Sequence, residues 1–294
     1  MTAMPTSQAV PASPAASTSP GAPGSSAADA AGSVVTWRTH APGILVVTMA
    51  RPPANALGIP LLDGLHRAID HAEAAGDTKV VVITSALRGF FAAGADIKHL
   101  ATIDAASFTA YGDQMRAVND RLAAAAFLSI AAVDGLALGG GLELAMACTL
   151  RVAGPRTALG LPEVKIGLIP GAGGTQRLTR LVGRSRALDI MLTARQVPAA
   201  EAHAIGLVDR LAGKDDAGDG LGPAVSGALA LAEELIGPSL PAQLAVVRTV
   251  DAADDLPLAD GFRYEVEQEQ QLFETGEAAE GIRAFVDKRP PRFA

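Results

Sequence analysis

A chain of 294 residues with 49% hydrophobic and 19% charged content can bury the core of one large domain or two small ones, which excludes a wholly disordered protein. Its net charge of -7 argues against a basic surface that tracks phosphates, because such binding needs clustered Lys and Arg to release counterions, and nucleic acid is set aside as a partner. With aromatics at 4% and 31 glycines, the core has to be built from Ala, Val, Leu and Ile packed around glycine-rich turns, which suits a layered α/β architecture.

Residues 1–33 are dominated by Ala, Pro, Ser, Gly and Thr, and the first basic residue is Arg38. They lack the charged start and apolar centre of a signal peptide and the arginines of an organellar presequence, so they read as a disordered tail. Val34–Arg38 and Ile44–Met49 are β-rich runs around His40-Ala41-Pro42-Gly43, a hairpin signal. Arg51 to Leu57 is too proline-rich for helix, and Leu61, Leu62, Leu65, Ile69 and Ala72 then recur at helical spacing. Lys79–Thr84 predicts a buried strand and Ser85–Asp96 a glycine-rich loop. Phe108, Tyr111, Met115, Val118 and Leu122 share one helix face, and the first three, on a helix expected to line a substrate pocket, are read as core in preference to specificity residues.

Ile130–Val133 predicts a third buried strand, Leu136–Leu138 a short strand feeding a triple glycine and a helix, and Leu150–Ala153 and Gly206–Leu211 two more strands. The order strand, strand, helix recurs, so residues 34–221 are expected to form successive ββα units. From 222 to 294 helical periods take over, with Phe262, Val266 and Phe273 on a charged segment. The apolar stretch Leu122–Cys148 is interrupted by Ser129, Asp134, Glu143 and glycines, so a buried strand and helix are expected there and no membrane span. One cysteine, Cys148, lies in an apolar run, which favours packing in a reducing, cytoplasmic compartment.

Nucleotide and metal chemistry fail the spacing tests. Gly171-Ala172-Gly173-Gly174-Thr175-Gln176 has Gln where the third glycine of a dinucleotide fingerprint belongs, and no stretch ends in the Gly-Lys-Ser/Thr of a phosphate loop. There is no Gly-x-Ser-x-Gly elbow, and His40, His66, His71, His99 and His203 show no paired metal spacing. What remains is Glu143, after Gly139-Gly140-Gly141-Leu142, and Glu163, within Leu161-Pro162-Glu163-Val164. Structural roles are open to both: Glu143 as a helix-start carboxylate favouring the macrodipole, Glu163 as a loop carboxylate capping an amide. Yet a helix that begins at a triple glycine exposes free amides with no side chain in the way, which is how an oxyanion hole is made, and the loop Phe90–Ile97 can supply a second amide.

Three motifs taken together, Phe91-Ala92-Ala93-Gly94-Ala95-Asp96-Ile97, Asp134 to Leu144, and Leu161-Pro162-Glu163-Val164 leading to Ile169–Leu178, resemble the enoyl-CoA hydratases of the crotonase superfamily, and the likeness runs from about Val34 to the C-terminus. It implies a crotonase-like spiral of ββα units with a C-terminal helical layer for oligomerisation. The implied enzyme is a hydro-lyase that adds water reversibly to a 2-trans-enoyl-CoA, giving 3-hydroxyacyl-CoA, as in fatty-acid β-oxidation or related acyl-CoA degradation. The same resemblance implies that the amides of Ala95 and Gly140 grip the thioester oxygen, that Glu143 acts as base and Glu163 as acid, and that the Gly171 amide holds the water. The loop Ala54, Asn55, Ala56, Leu57 then meets the adenine, with Ala93 and Ile97 flanking the groove and Lys98 near a phosphate. Phe285 and Lys288 cover coenzyme A from a neighbouring subunit, commonly in a dimer of trimers. Coenzyme A is part of the substrate, and no separate cofactor or metal is implied. Thr149 departs from the family, where many relatives carry an acidic residue, and the Ala/Pro-rich leader has no counterpart. The alternatives are an enoyl-CoA isomerase of the same fold, which usually relies on one carboxylate, or another acyl-CoA lyase, and less favoured a non-catalytic acyl-CoA or RNA-binding scaffold; the second glutamate favours hydration.

Overall fold

The computed structural model describes residues 33–213, 222–274 and 277–293. The expected tail lies outside these up to residue 32, and the expected boundary at 221/222 falls beside residues 214–221, which also lie outside them.

Two strands open the fold, β1 (Val35–Ala41) and β2 (Ile44–Met49), followed by α1 (Ile59–Ala75). Three units then repeat the same order. The first is β3 (Val80–Ser85), β4 (Phe90–Ala92), α2 (Ile97–Leu100) and α3 (Ala105–Ala123). The second is β5 (Leu128–Val133), β6 (Leu136–Leu138) and α4 (Gly140–Ala147). The third is β7 (Leu150–Ala153), β8 (Ala158–Gly160), a 3-10 turn (Glu163–Ile166), α5 (Gly174–Val182) and α6 (Arg184–Thr193). β9 (Val197–Pro198), α7 (Ala199–Ala204) and β10 (Arg210–Leu211) complete the spiral, and α8 (Pro223–Leu235), α9 (Leu240–Ala252), α10 (Leu258–Glu274) and α11 (Glu277–Val286) follow.

The first strands of the units form a six-stranded sheet in the order β1-β2-β3-β5-β7-β10, parallel except for the β1/β2 hairpin. The second strands form a smaller sheet, β4-β6-β8-β9, parallel except at β8/β9. The expected α/β spiral of ββα units is what the chain forms. Parallel strands need both faces covered, and β3 shows how the sequence meets that need. Val80 and Val82 join the cluster containing Ala224, Ala228 and Leu231 of α8, whereas Val81 and Ile83 join the cluster containing Leu61 and Leu65 of α1 and Leu142 of α4. Each of the buried Val, Leu and Ile side chains among these stabilises the fold by about 1.5–3 kcal/mol.

Two expectations are corrected in detail, and two further strands were not foreseen. Phe90–Ala92, placed in the loop Ser85–Asp96, is strand β4, because Phe90 pairs with Leu136. The strand expected over Gly206–Leu211 shrinks to β10, because the amides of Leu207 and Val208 donate instead to the Ala202 carbonyl (2.8 and 3.2 Å). Ala158–Gly160 and Val197–Pro198 pair as strands too short to show a period.

The small sheet matters because it brings β4 against the start of α4. A Cβ on Gly141 would lie 2.1 Å from the Ala92 carbonyl oxygen, so only glycine lets the two backbones meet there. At the C-terminus Phe262, Val266 and Phe273 do share α10, and all three are exposed. Among the described residues no helix is long and apolar enough to cross a membrane.

The far end of α4 is held by a buried arginine. Arg151 on β7 donates Nη1–H to the Cys148 carbonyl (3.1 Å), donates Nε–H to the Leu207 carbonyl (3.1 Å), and forms an ion pair with Asp209 (2.8 Å). Removing one partner of a buried pair leaves a charge uncompensated. Asp209→Ala is expected to lower stability by about 3 kcal/mol. A urea melt should show this as a lower midpoint with an unchanged slope.

Candidate active site

The Asp134–Ala147 segment explains how an acidic side chain reaches the interior. Strand β6 delivers the chain to Gly139, which caps α4 without a side-chain hydrogen bond, and Glu143 in the first turn is only 2% exposed. Its Oε1 accepts two hydrogen bonds, from the amides of Ala172 (2.8 Å) and Gly174 (2.7 Å). Burial pushes its pKa above the usual carboxylate value, against the pull of those amides and of Arg116 and Arg177.

Glu163 opens the 3-10 turn after β8 and looks into the same cavity. Burial, opposed by its own backbone amide and reinforced by the charge of Glu143, lifts its pKa to about 7. Its Oε2 is buried without a hydrogen-bond partner. The repulsion between the two carboxyls favours states in which one is charged and the other keeps its proton.

Opposite them, Ala95 and Gly140 present amides that donate to nothing among the described residues. A Cβ built on Gly140 would sit 3.6 Å from the Ala95 nitrogen, so the two backbones lie side by side. Both line a cavity of about 510 Å³ together with Glu143, Glu163 and Gly171, and the Gly171 amide is also without a partner. The structure thus brings together all five residues singled out for chemistry. Ala93 and Ile97 line the same cavity.

The other singled-out positions lie apart from it. Asn55 is buried in a left-handed backbone conformation (φ 51°), and its side chain accepts from the Arg51 amide (2.7 Å) and donates to the Phe91 carbonyl (2.9 Å) and Ser85 Oγ (2.8 Å). The Ala54 carbonyl accepts from the Ala93 amide, the Ala56 carbonyl from Arg51, and the Leu57 carbonyl from Tyr111. This loop therefore braces the Ala93–Ala95 strand-end, with the amides of Ala54 and Ala56 left free among the described residues. Lys98 is exposed on α2. Phe285 is 86% exposed on α11, with Lys288 just beyond, and neither borders the cavity of its own chain.

Two groups escaped the sequence reading. Arg116 donates to the Gly171 carbonyl (2.7 Å), and buried Asn119 donates to the Ala172 carbonyl (2.9 Å), so α3 grips from outside the loop whose amides hold Glu143. Their spacing of three, beside the apolar residues Met115, Val118 and Leu122, is the signal that was available. Phe108, assigned to the core by its period, is a correction: it is exposed and lines the cavity, and partly buried Met115 does too. Helical spacing reports which residues share a face, not whether that face meets core or cavity. Tyr111 is buried as expected, and it too borders the cavity. Cys148 is also buried, its thiol pushed up to about 12. Among the described residues no group of three or more His, Cys, Asp or Glu is placed to hold a metal ion.

A family model described as enoyl-CoA hydratase/isomerase matches residues 39–294. The mitochondrial methylglutaconyl-CoA hydratase of Mus musculus is 37% identical over 253 residues, covering 85% of this chain and 79% of its own. A probable enoyl-CoA hydratase of Mycobacterium tuberculosis is 38% identical over 250 residues, covering 84% and 93%. Among solved structures, an enoyl-CoA hydratase of Bacillus anthracis superposes with a TM-score of 0.82 at 30% identity, covering 88% of this chain and 98% of that one. DspI of Pseudomonas aeruginosa gives 0.83 at 31% identity, covering 92% and 100%.

The raised pKa of Glu163 has a consequence for stability. Folded, the group keeps its proton up to about pH 7, whereas in the unfolded chain it releases it near the ordinary 4.5, so wild type loses stability as pH climbs through that window. Glu163→Gln has no proton to release, and its Tm relative to wild type should be higher at pH 8 than at pH 4. Thermal melts at the two pH values check this; a difference that stays constant contradicts it.

Proposed function

Because the chain belongs to the enoyl-CoA hydratase/isomerase family, we propose that it adds water reversibly to a 2-trans-enoyl-CoA, giving 3-hydroxyacyl-CoA, with Glu143 and Glu163 as the proton-transfer pair. It is an enzyme of the hydratase type. The observation that carries the finer reading is the pairing, in one cavity, of buried Glu143 and half-buried Glu163 with two amides that have no partner among the described residues.

Attack of water on the β-carbon drives the alkene electrons onto the thioester oxygen, making an enolate. In this reading the N–H groups of Ala95 and Gly140 stabilise that oxygen; they are in place before the charge develops and need no reorganisation. Glu143, ionised and steadied by the amides of Ala172 and Gly174, takes a proton from the water, which the Gly171 amide helps to hold. Glu163, protonated through its raised pKa, delivers a proton to the α-carbon and collapses the enolate. One O–H bond of water breaks, one C–O and one C–H bond form, and the two carboxyls exchange protonation states, restored by proton exchange with solvent. The thioester is itself the electron sink, so the reading uses no separate cofactor.

Hydration is favoured over isomerisation by the second carboxylate, since shifting a double bond can be done by one. The exposed apolar residues of α10 and α11, among them Phe262, Val266 and Ile282, support a trimer-based assembly in which Phe285 and Lys288 reach a neighbour's coenzyme A. The acyl group served, whether straight, branched or carboxylated, is read from the rates on a panel of enoyl-CoA thioesters.

Loss of the conjugated enoyl absorbance of crotonyl-CoA tests the reaction, and absence of hydration by wild type across several acyl lengths would sink it. Glu143→Gln and Glu163→Gln should each lower kcat by at least about 100-fold and leave substrate affinity within about tenfold. The pH profile has a predicted sign as well: hydration should fall above about pH 7, where Glu163 loses the proton it donates. A rate that keeps rising through pH 8 would contradict its role as acid.

A further inference from the structure

We propose that Tyr111 is a positioning residue for this reaction, its hydroxyl closing a hydrogen-bonded ring that fixes the Ala95 amide at the thioester end of the cavity. The inference rests on the assignment of the Ala95 and Gly140 amides to the thioester oxygen.

Tyr111 stands on α3 and is buried, with its hydroxyl between two main-chain groups. It donates to the Leu57 carbonyl (2.6 Å) and accepts from the Asp96 amide (2.9 Å). Leu57 in turn donates its own N–H to the Gly94 carbonyl (2.8 Å). Ala95 is therefore clamped on both sides. The peptide plane before it is held through the Gly94 carbonyl, the plane after it through the Asp96 N–H, and both lead back to Leu57, the second by way of the phenol. The Asp96 side chain anchors the same turn, pairing with Arg51 (2.6 Å) and accepting from the amides of Lys98 and His99. Within this ring the Ala95 N–H is the group left without a partner among the described residues.

Two effects follow. The direction of that N–H is set before the enolate forms, which is where an oxyanion donor acquires most of its value. The bond from Leu57 to the Gly94 carbonyl also polarises the Gly94–Ala95 peptide, strengthening its N–H as a donor toward the thioester. Phenylalanine could fill the same space, yet it can neither donate to Leu57 nor accept from Asp96. Burial raises the phenol's pKa further, so it remains a donor through the working pH range.

The test compares Tyr111→Phe with wild type in the full-length protein. The variant keeps the ring, which packs edge-on against His99 at 5.1 Å between centroids. Two readouts are used: kcat and KM with crotonyl-CoA, and the pH titration of bound acetoacetyl-CoA, whose enolate absorbs in the near ultraviolet. Tyr111→Phe should lower kcat about tenfold with KM within about twofold, and should raise the pH at which bound acetoacetyl-CoA ionises by about one unit, the same tenfold read at equilibrium. His99→Leu, which removes only the ring contact, should leave both at wild-type values. The proposal is overturned if Tyr111→Phe leaves the acetoacetyl-CoA titration unchanged, whatever it does to Tm, or if His99→Leu reproduces the loss. Ionising acetoacetyl-CoA requires no water addition. A wild type that ionises it but hydrates no enoyl thioester therefore overturns hydration alone, and one that does not favour the enolate overturns the oxyanion assignment and the role of Tyr111 with it.

Discussion

The constraint on which the site depends is the cost of keeping Glu143 inside the protein. A carboxylate almost wholly removed from water is tolerated only with donors aimed at it, and the donors are the amides of Ala172 and Gly174. Those amides are useful only if their loop is still, and α3 stills it by taking the carbonyls of Gly171 and Ala172 with Arg116 and Asn119. The triple glycine brings the carboxylate in, since α4 can start against β4 only where no side chain intervenes. Glu163 is held toward its neutral form by its own burial first, and by the charge of Glu143 in addition.

Much of this was legible in the sequence, for reasons that particular residues make clear. The buried strands around Val80–Ser85 and Leu128–Val133 announce themselves because both faces of a parallel sheet must be apolar. The three glycine-rich motifs located the two carboxylates and the two amides, and the resemblance they carry agrees with the family match over residues 39–294. Strands β4, β8 and β9 were not legible, because pairings of two or three residues are too short to show a period and are decided by their neighbours in the sheet. Nor were the polar anchors. Arg116 and Asn119 act through main-chain carbonyls far along the chain, and their spacing of three beside the apolar face of α3 is a weak local sign of that role. Phe108 shows the complementary failure: a face counted as core because it is apolar turns out to border a cavity, and apolar spacing is the same in both cases.

The C-terminal helices follow a different logic from the core. The spiral buries its aliphatic residues in two clusters, one on each side of the large sheet, whereas α10 buries none of its own residues and leaves Leu258, Phe262, Val266 and Phe273 in solvent. A segment that carries such residues without covering them contributes little to the stability of its own chain.

The groups that meet the reacting atoms in this reading are, apart from the two glutamates, main-chain amides: Ala95, Gly140 and Gly171 toward the substrate, Ala172 and Gly174 toward the base. Side chains at these positions are tightly limited: a Cβ on Gly174 would lie 2.8 Å from Glu143 Oε1, and one on Gly140 3.0 Å from Leu57 Cδ1. The wall formed by Phe108, Met115, Ile166 and Ile169 belongs to other elements, α3 and the segment after Glu163, and shares no hydrogen bond with those amides. The same helix that supplies part of this wall also holds the amide scaffold, through Tyr111, Arg116 and Asn119. A change in the shape of the cavity on the α3 side therefore has to be made without moving the helix, by exchanging side chains such as Phe108 and Met115 in place.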